Sequence, residues 1–330
     1  MKSFERLYEE AKKRDEDISL LLGNGFSIAA DKSFDYRRLL DRADFGPRIR
    51  KERIRKVFDA LDTADFELVV QRLEAAAEIL DLYKDDSATS PKIRRDGRTV
   101  RKALAETLAA VHPSRVGDIG DDRIDRCHDF LANFNSVFTL NYDLLLYWAI
   151  NRKGRAHFKD GFRRPEDRLI YADPDAQTVS WLHGAAHLHE ESVAGDWPIT
   201  VKQEWSGGVP LVDQLRDDIE AGQTPLIVME GTWQQKQRKI NSSLYLSNCL
   251  SLLRDLRGTL FIYGWSMSPN DLHIRTAIQN SRISHVNVGL YGSQTDGSNP
   301  ETIGQAHALS ASSEGSISLE LWDTTSADVW

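Results

Sequence analysis

The 330-residue chain has only two cysteines, Cys127 and Cys249, and no CxxC pair. A four-thiolate zinc site cannot be built within one such chain, and no disulfide framework is expected. No run of about 18 apolar residues occurs, so no membrane-spanning helix is expected. The opening stretch, MKSFERLYEEAKKRDED, reads as a charged amphipathic helix without an apolar signal core, which points to the cytoplasm. There is no excess of positive charge, with 42 lysines and arginines against 50 acidic residues. The formal net charge of −8 argues against a protein that coats nucleic acid. Internal repeats and extended low-complexity segments are missing, so a solenoid or a disordered tail is not indicated.

What remains is a globular composition. A hydrophobic fraction of 41% is enough to bury a core in one domain spanning residues 1–330. Residues 3–14 read as a helix and Ile18 to Gly23 as a first strand. From about residue 34 to 131 the pattern is helical. Its clearest piece is Asp65 to Leu82, where Phe66, Val69, Val70, Leu73, Ala77 and Leu80 share one face behind Asp65 as N-cap. Residues 84–97 read as a polar loop, and helices follow at 98–111 and 121–132. Ser136 to Leu140 is a buried strand, followed by a helix over Tyr142 to Asn151. Further strand-like runs fall at 168–171, 178–182, 225–229, 258–263, 285–291 and 316–322. Helical runs near 209–220, 241–256, 270–280 and 299–311 lie between several of them. This alternation predicts an α/β, Rossmann-like fold. A mostly parallel sheet would have helices on both faces and a large helical insertion at about 34–131.

Four segments carry candidate chemistry. In LLLGNGFS, a buried strand runs into Gly23-Asn24-Gly25-Phe26-Ser27 and a helix start, an arrangement that suits a phosphate. A dinucleotide fingerprint would have a third glycine where Ile28 stands, and no acidic residue ends a second strand about twenty residues on. Hydride transfer is therefore disfavoured. In FTLNYDLLLYWA, Asn141 and Asp143 follow a strand end, where ligands of open α/β sheets bind; as a helix cap and first-turn acid they would be purely structural. In SWLHGAAHLHE, His183 ends another apolar run before Gly184. His183, His187 and His189 invite a metal reading, but a single neutral-pH histidine is more economical. In LFIYGWSMSPNDLHI, a strand ends at Tyr263-Gly264, and Ser266 and Ser268 lead to Pro269 at a helix start. The basic runs Arg48–Lys56 and Lys92–Lys102 lack interleaved aromatics and read as solvated helix faces.

Taken in order, GNGFS, TLNYD, WLHG and YGWSMSPND resemble the motif series of the sirtuins. The match is nearer to bacterial sirtuin-like proteins of antiphage defence. Those often carry GNGFS, a helix with Asp, then Phe or Ile, then Glu, like Asp65-Phe66-Glu67, and HG followed by HL. The zinc ribbon of protein deacylases is missing here. The resemblance implies a hydrolase that consumes NAD as its substrate without a metal, giving nicotinamide and ADP-ribose. It assigns phosphate binding to Gly23, Asn24, Gly25, Phe26 and Ser27, and adenosine contacts to Gly264 and Ser266. Asn141 would orient a ribose or water, Asp143 would anchor the nicotinamide amide or ribose, and His183 would bond the ribose hydroxyls or assist water as a base. The implied partners are a second copy of the chain and a phage-derived or operon-encoded activator, with no membrane and no nucleic acid. A non-catalytic NAD or ADP-ribose sensor and an ADP-ribosyltransferase are the alternatives.

Overall fold

A computed structural model describes residues 1–83, 88–152, 158–165, 167–192, 198–204, 209–220, 225–229, 232–312 and 317–330. Helix α1 (Phe4–Lys13) precedes β1 (Ile18–Leu22). Helices α2 (Asn24–Ala30), α3 (Tyr36–Arg42), α4 (Arg48–Ala60), α5 (Phe66–Tyr83), α6 (Thr89–Val111) and α7 (Asp121–Leu131) follow. The chain then forms β2 (Ser136–Thr139), α8 (Leu145–Ile150), β3 (Phe162–Arg163), β4 (Leu169–Tyr171), β5 (Val179–Trp181), β6 (Leu188–Glu191) and β7 (Ile199–Lys202). Helices α9 (Leu211–Glu220), α10 (Trp233–Asn241) and α11 (Leu244–Arg254) lead to β8 (Arg257–Tyr263). Helix α12 (Leu272–Gln279), β9 (Arg282–Leu290), α13 (Asn299–Ser312) and β10 (Ser318–Asp323) complete it.

Six strands form one parallel sheet in the order β10-β9-β8-β1-β2-β5. Numbered among themselves, these strands run 3-2-1-4-5-6, the doubly wound Rossmann order, with its switch point between β1 and β8. All five residues of β1 are buried, as a central parallel strand covered on both faces requires. Its register is Leu22 opposite Thr139 of β2 and Tyr263 of β8, so three loops leave the sheet side by side.

The helices between β1 and β2 have an apolar cluster of their own, built on Leu39, Phe45, Ile54, Phe58, Phe66, Val69, Val70, Leu73, Val100 and Leu104. Asp65 caps α5 as expected, its Oδ1 accepting from the N–H groups of Glu67 and Leu68 at 2.8 and 3.1 Å. The loop expected at 84–97 is corrected from residue 89 onward, because α6 starts at Thr89. Pro91 sits in its first turn, where no donor is needed, and Gly97 lies within it, against Leu73. Residues 84–87, and residue 316 of the last expected strand, lie outside the described residues.

Three further expectations change. The run at 168–171 is a strand, but of a separate antiparallel sheet in the order β3-β4-β7-β6. The run at 225–229 is an extended segment with only an isolated bridge between Ile227 and Gly184. The helix expected from Tyr142 begins at Leu145, since Asp143 Oδ1 accepts from the Leu145 N–H at 2.9 Å and holds a turn first. No helix among the described residues is long and apolar enough to cross a membrane.

At the switch point the loops after β1 and β8 meet backbone to backbone. The Gly23 N–H donates to the Tyr263 carbonyl and the Gly25 N–H to the Gly264 carbonyl, each at 2.9 Å. A Cβ on Gly25 would lie 2.6 Å from Gly264 Cα, and one on Gly264 would lie 2.6 Å from Gly25 Cα. Gly264 also has φ +70°, a left-handed conformation that disfavours a side chain. Gly264→Ala should therefore cost about 2–4 kcal/mol through backbone clash and strain. Gly304→Ala, inside α13 with nothing within 4 Å, should stabilise the protein by about 0.5–1 kcal/mol. Urea denaturation of both variants checks the contrast.

Candidate active site

A cleft of about 360 Å³ lies over the carboxyl ends of the parallel strands. His183 follows β5, Asn141 follows β2, Gly23 follows β1, Gly264 follows β8 and Tyr291 follows β9, and all five line it. Asn24, Gly25, Asp143 and Ser266 also line it. Phe26 and Ser27 do not. The Phe26 ring is buried against Trp330, with centroids 4.8 Å apart, and Ser27 is buried behind the wall.

The glycine turn differs from a phosphate cradle. The N–H groups of Gly23, Gly25 and Phe26 all donate to carbonyls of the chain, the last to Gly23 at 3.0 Å. The glycines serve the contact with Gly264 and give the cleft a floor free of side chains. They do not present a row of free donors.

Asn141 locks this floor in place. Its Nδ2 donates to the Gly23 carbonyl at 3.0 Å and to Ser27 Oγ at 2.9 Å. A carbonyl can only accept, so the amide orientation is fixed and Oδ1 is the atom left to accept from a ligand or water. Ser27 Oγ in turn donates to Asp143 Oδ2 at 2.5 Å. With Oδ1 on Leu145, both oxygens of Asp143 are engaged within the chain. Asp143 thus supports Ser27, and through it Asn141, while lining the cleft.

The second cluster surrounds Lys236, which is fully buried. Its ammonium donates to Glu67 Oε2 at 2.5 Å and to Asp271 Oδ1 at 2.8 Å. Trp265 Nε1 donates to the other Asp271 oxygen at 3.0 Å, and the Tyr142 hydroxyl donates to Glu67 Oε1 at 2.6 Å. Burial alone would strip the lysine of its proton, but Asp271 and then Glu67 reverse this and hold its pKa above the usual range. Asp271 is correspondingly held low: burial would raise it, and the lysine overrides that. Burial pushes Glu67 up, and the Asp271 and Asp65 carboxylates add to this against the lysine.

His183 meets this cluster from β5. Its Nε2 lies 2.9 Å from His273 Nε2 and 3.9 Å from Asp271 Oδ1. Burial, then the neighbouring Lys236 charge, lowers its pKa well below the usual histidine range. It stays neutral near pH 7, so the 3.9 Å approach to Asp271 is no ion pair. His183, His187 and His189, the set passed over in favour of a single histidine, do not converge. His187 is buried between Tyr147 and Trp181, and His189 meets Glu191 at 3.2 Å. Instead His183, Asp271 and His273 bring ligand-type atoms within 4.8 Å of one another. Both Asp271 oxygens already have donors, the two Nε2 atoms face each other, and Asp271 has the Lys236 ammonium as its countercharge.

Sequence reasoning missed Lys236 altogether. It stands in WQQKQRK, where every neighbour is polar and nothing marks one lysine as buried. Asp271 and His273 lay within a segment already singled out, but their convergence on His183 depends on how the loop after β8 folds back. Tyr291, Ser298, Asn299 and Thr302 complete the far end. There Thr302 Oγ1 donates to the Ser298 carbonyl at 3.1 Å, and Asn299 Nδ2 to the Tyr291 carbonyl at 2.9 Å.

Residues 20–330 match a family described as a domain of unknown function, DUF4917. The chain belongs to this family. The DUF4917 match takes in both glycine loops, the helices between β1 and β2, and every cleft residue named above. No curated protein matches the sequence.

Replacing Lys236 by Met should leave two buried carboxylates without a countercharge, each keeping one neutral donor, Trp265 or Tyr142, and cost about 3–5 kcal/mol. Their folded-state pKa values would then rise above the unfolded ones, so the deficit against wild type should shrink from pH 8 to pH 5. Urea midpoints at the two pH values test this. In the wild type, His183, His187 and His273 are all depressed by burial, His273 to about 4. The unfolded chain takes up these protons near pH 6.5 and the folded chain does not. Stability should thus be full above about pH 6.5 and fall as pH drops toward 4, as read from Tm across that window.

Proposed function

We propose that this protein cleaves the bond between nicotinamide and ribose in NAD. The observation that carries this reading is the reach and polarity of the cleft. From His183 to Tyr291 it crosses four strand spacings, roughly 19 Å at about 4.8 Å each, which suits an elongated dinucleotide. Around His183 the wall holds Asp65, Glu67, Asp143 and Asp271. Toward Tyr291 it holds Ser266, Ser298, Asn299 and Thr302. A ligand with a cationic ring at one end and a hydroxyl-rich nucleoside at the other fits that division.

The chemistry asks little of a strong base. The bonding pair of the glycosidic bond passes to the pyridinium nitrogen, nicotinamide leaves neutral, and positive charge develops on the ribose. Carboxylates already fixed by Lys236, Trp265, Ser27 and Leu145 would stabilise that charge without reorganising. Asn141 Oδ1 would accept from the attacking water and aim it at the ribose. Water adds to the ribose carbon and its second proton is released, giving ADP-ribose, nicotinamide and H⁺. A neutral His183 would hydrogen-bond a ribose hydroxyl. On the sirtuin-like resemblance, the biological result would be depletion of NAD in an infected cell.

Incubation with NAD followed by chromatography should show nicotinamide and ADP-ribose. Asn141→Ala and His183→Ala should each lower the rate by about 100-fold or more. Undiminished cleavage in both variants would remove the site from the reaction. NAD that binds without turnover would mark a sensor, and nicotinamide release with label retained on a macromolecule would mark ADP-ribosyl transfer.

A further inference from the structure

We propose that His273 is a positioning residue that fixes the tautomer of His183, making His183 a hydrogen-bond donor through Nδ1–H. The two rings lie close and nearly parallel, with centroids 5.1 Å apart, planes 30° apart and the Nε2 atoms 2.9 Å apart. Two neutral imidazoles at that distance share one proton, so one Nε2 donates and the other accepts. The direction follows from the far side of His273. Its Nδ1 is buried and has no partner among the described residues. If His273 accepted at Nε2, its proton would sit on that Nδ1 as an orphaned buried donor. Buried N–H groups without acceptors are rare, and an idle lone pair is better tolerated. His273 therefore carries its proton on Nε2 and donates it to His183 Nε2.

His183 then carries its own proton on Nδ1. With Nε2 spent on His273, Nδ1 is the only ring nitrogen left to meet a ligand in the cleft that His183 lines. A donor at that position suits a hydroxyl oxygen and cannot take a proton from water. The surroundings agree with a neutral pair. Lys236 from α10 and Asp271 from the loop after β8 face both rings, Tyr142 from the loop after β2 faces His183, and Arg254 at the end of α11 adds positive charge near His273. The lysine and the arginine oppose a second positive charge.

The functional half of this inference rests on the NAD-cleavage reading; the tautomer does not. Nitrogen-15 NMR of the imidazoles in the full-length protein at pH 7.5 reads the protonation of each ring nitrogen directly. The expected result is His183 protonated at Nδ1 and bare at Nε2, with His273 protonated at Nε2. His183 protonated at Nε2 in the wild type would overturn the proposal, whatever the activity. In the His273→Phe variant, His183 should shift toward the Nε2–H tautomer. With NAD, kcat should fall about 10- to 100-fold with KM little changed. His273→Gln, whose amide can still donate, should recover most of the rate. A His273→Phe variant that keeps both the His183 tautomer and wild-type kcat would also overturn it. Wild-type protein with the expected tautomer but no cleavage of NAD would sink the cleavage reading and leave the tautomer assignment standing.

Discussion

One buried ammonium organises the working end of this molecule. Lys236 comes from α10, Glu67 from the helices between β1 and β2, and Asp271 from the loop after β8, and the three meet with no exposure of the lysine. An unpaired charge in that position would be far more costly than the pairing is favourable. The arrangement is thus self-consistent only when all three parts are docked. Tyr142 hangs on Glu67 and Trp265 on Asp271, while the two histidines are held neutral beside the same charge. The lysine charge thus fixes part of the cleft wall and adds to the burial that keeps the two histidines neutral.

The glycines contribute in another way. Gly23, Gly25 and Gly264 let two loops touch through their main chains, and Gly23 and Gly25 spend their N–H groups on the carbonyls of Tyr263 and Gly264. Asn141 then clamps the same turn through its amide nitrogen, so its oxygen faces outward as a consequence of the clamp. Rigidity of the floor and orientation of the candidate water-positioning group are produced by a single side chain.

Much of the fold was legible because buried parallel strands are dense apolar runs. Ile18–Leu22, Ser136–Thr139, Val179–Trp181 and Arg257–Tyr263 follow the expected boundaries within a residue or two. The small antiparallel sheet was harder to see. Strand β3 has two residues, and β6 reads Leu-His-Glu-Glu with one buried position, so no alternation could announce either. Within the site, residues directly after strand ends were legible: Asn141, His183 and Gly264 line the cleft as expected. Phe26 and Ser27 were misplaced because a turn reveals its residues but not which of them point inward. Glu67 reaches the cleft, and Lys236 and His273 reach its wall residues Asp271 and His183, only through tertiary packing of their helices.

The helices between β1 and β2 occupy what any parallel strand pair must have, a crossover connection. Here that connection has grown into a block with its own apolar cluster, and closing a longer loop costs little more than closing a short one. Its Tyr36, Asp65 and Glu67 nevertheless form part of the cleft. Any molecule filling the cleft therefore bridges two separately packed bodies. By mass action its occupancy must strengthen their association, and whatever strains that association must loosen its grip on the occupant.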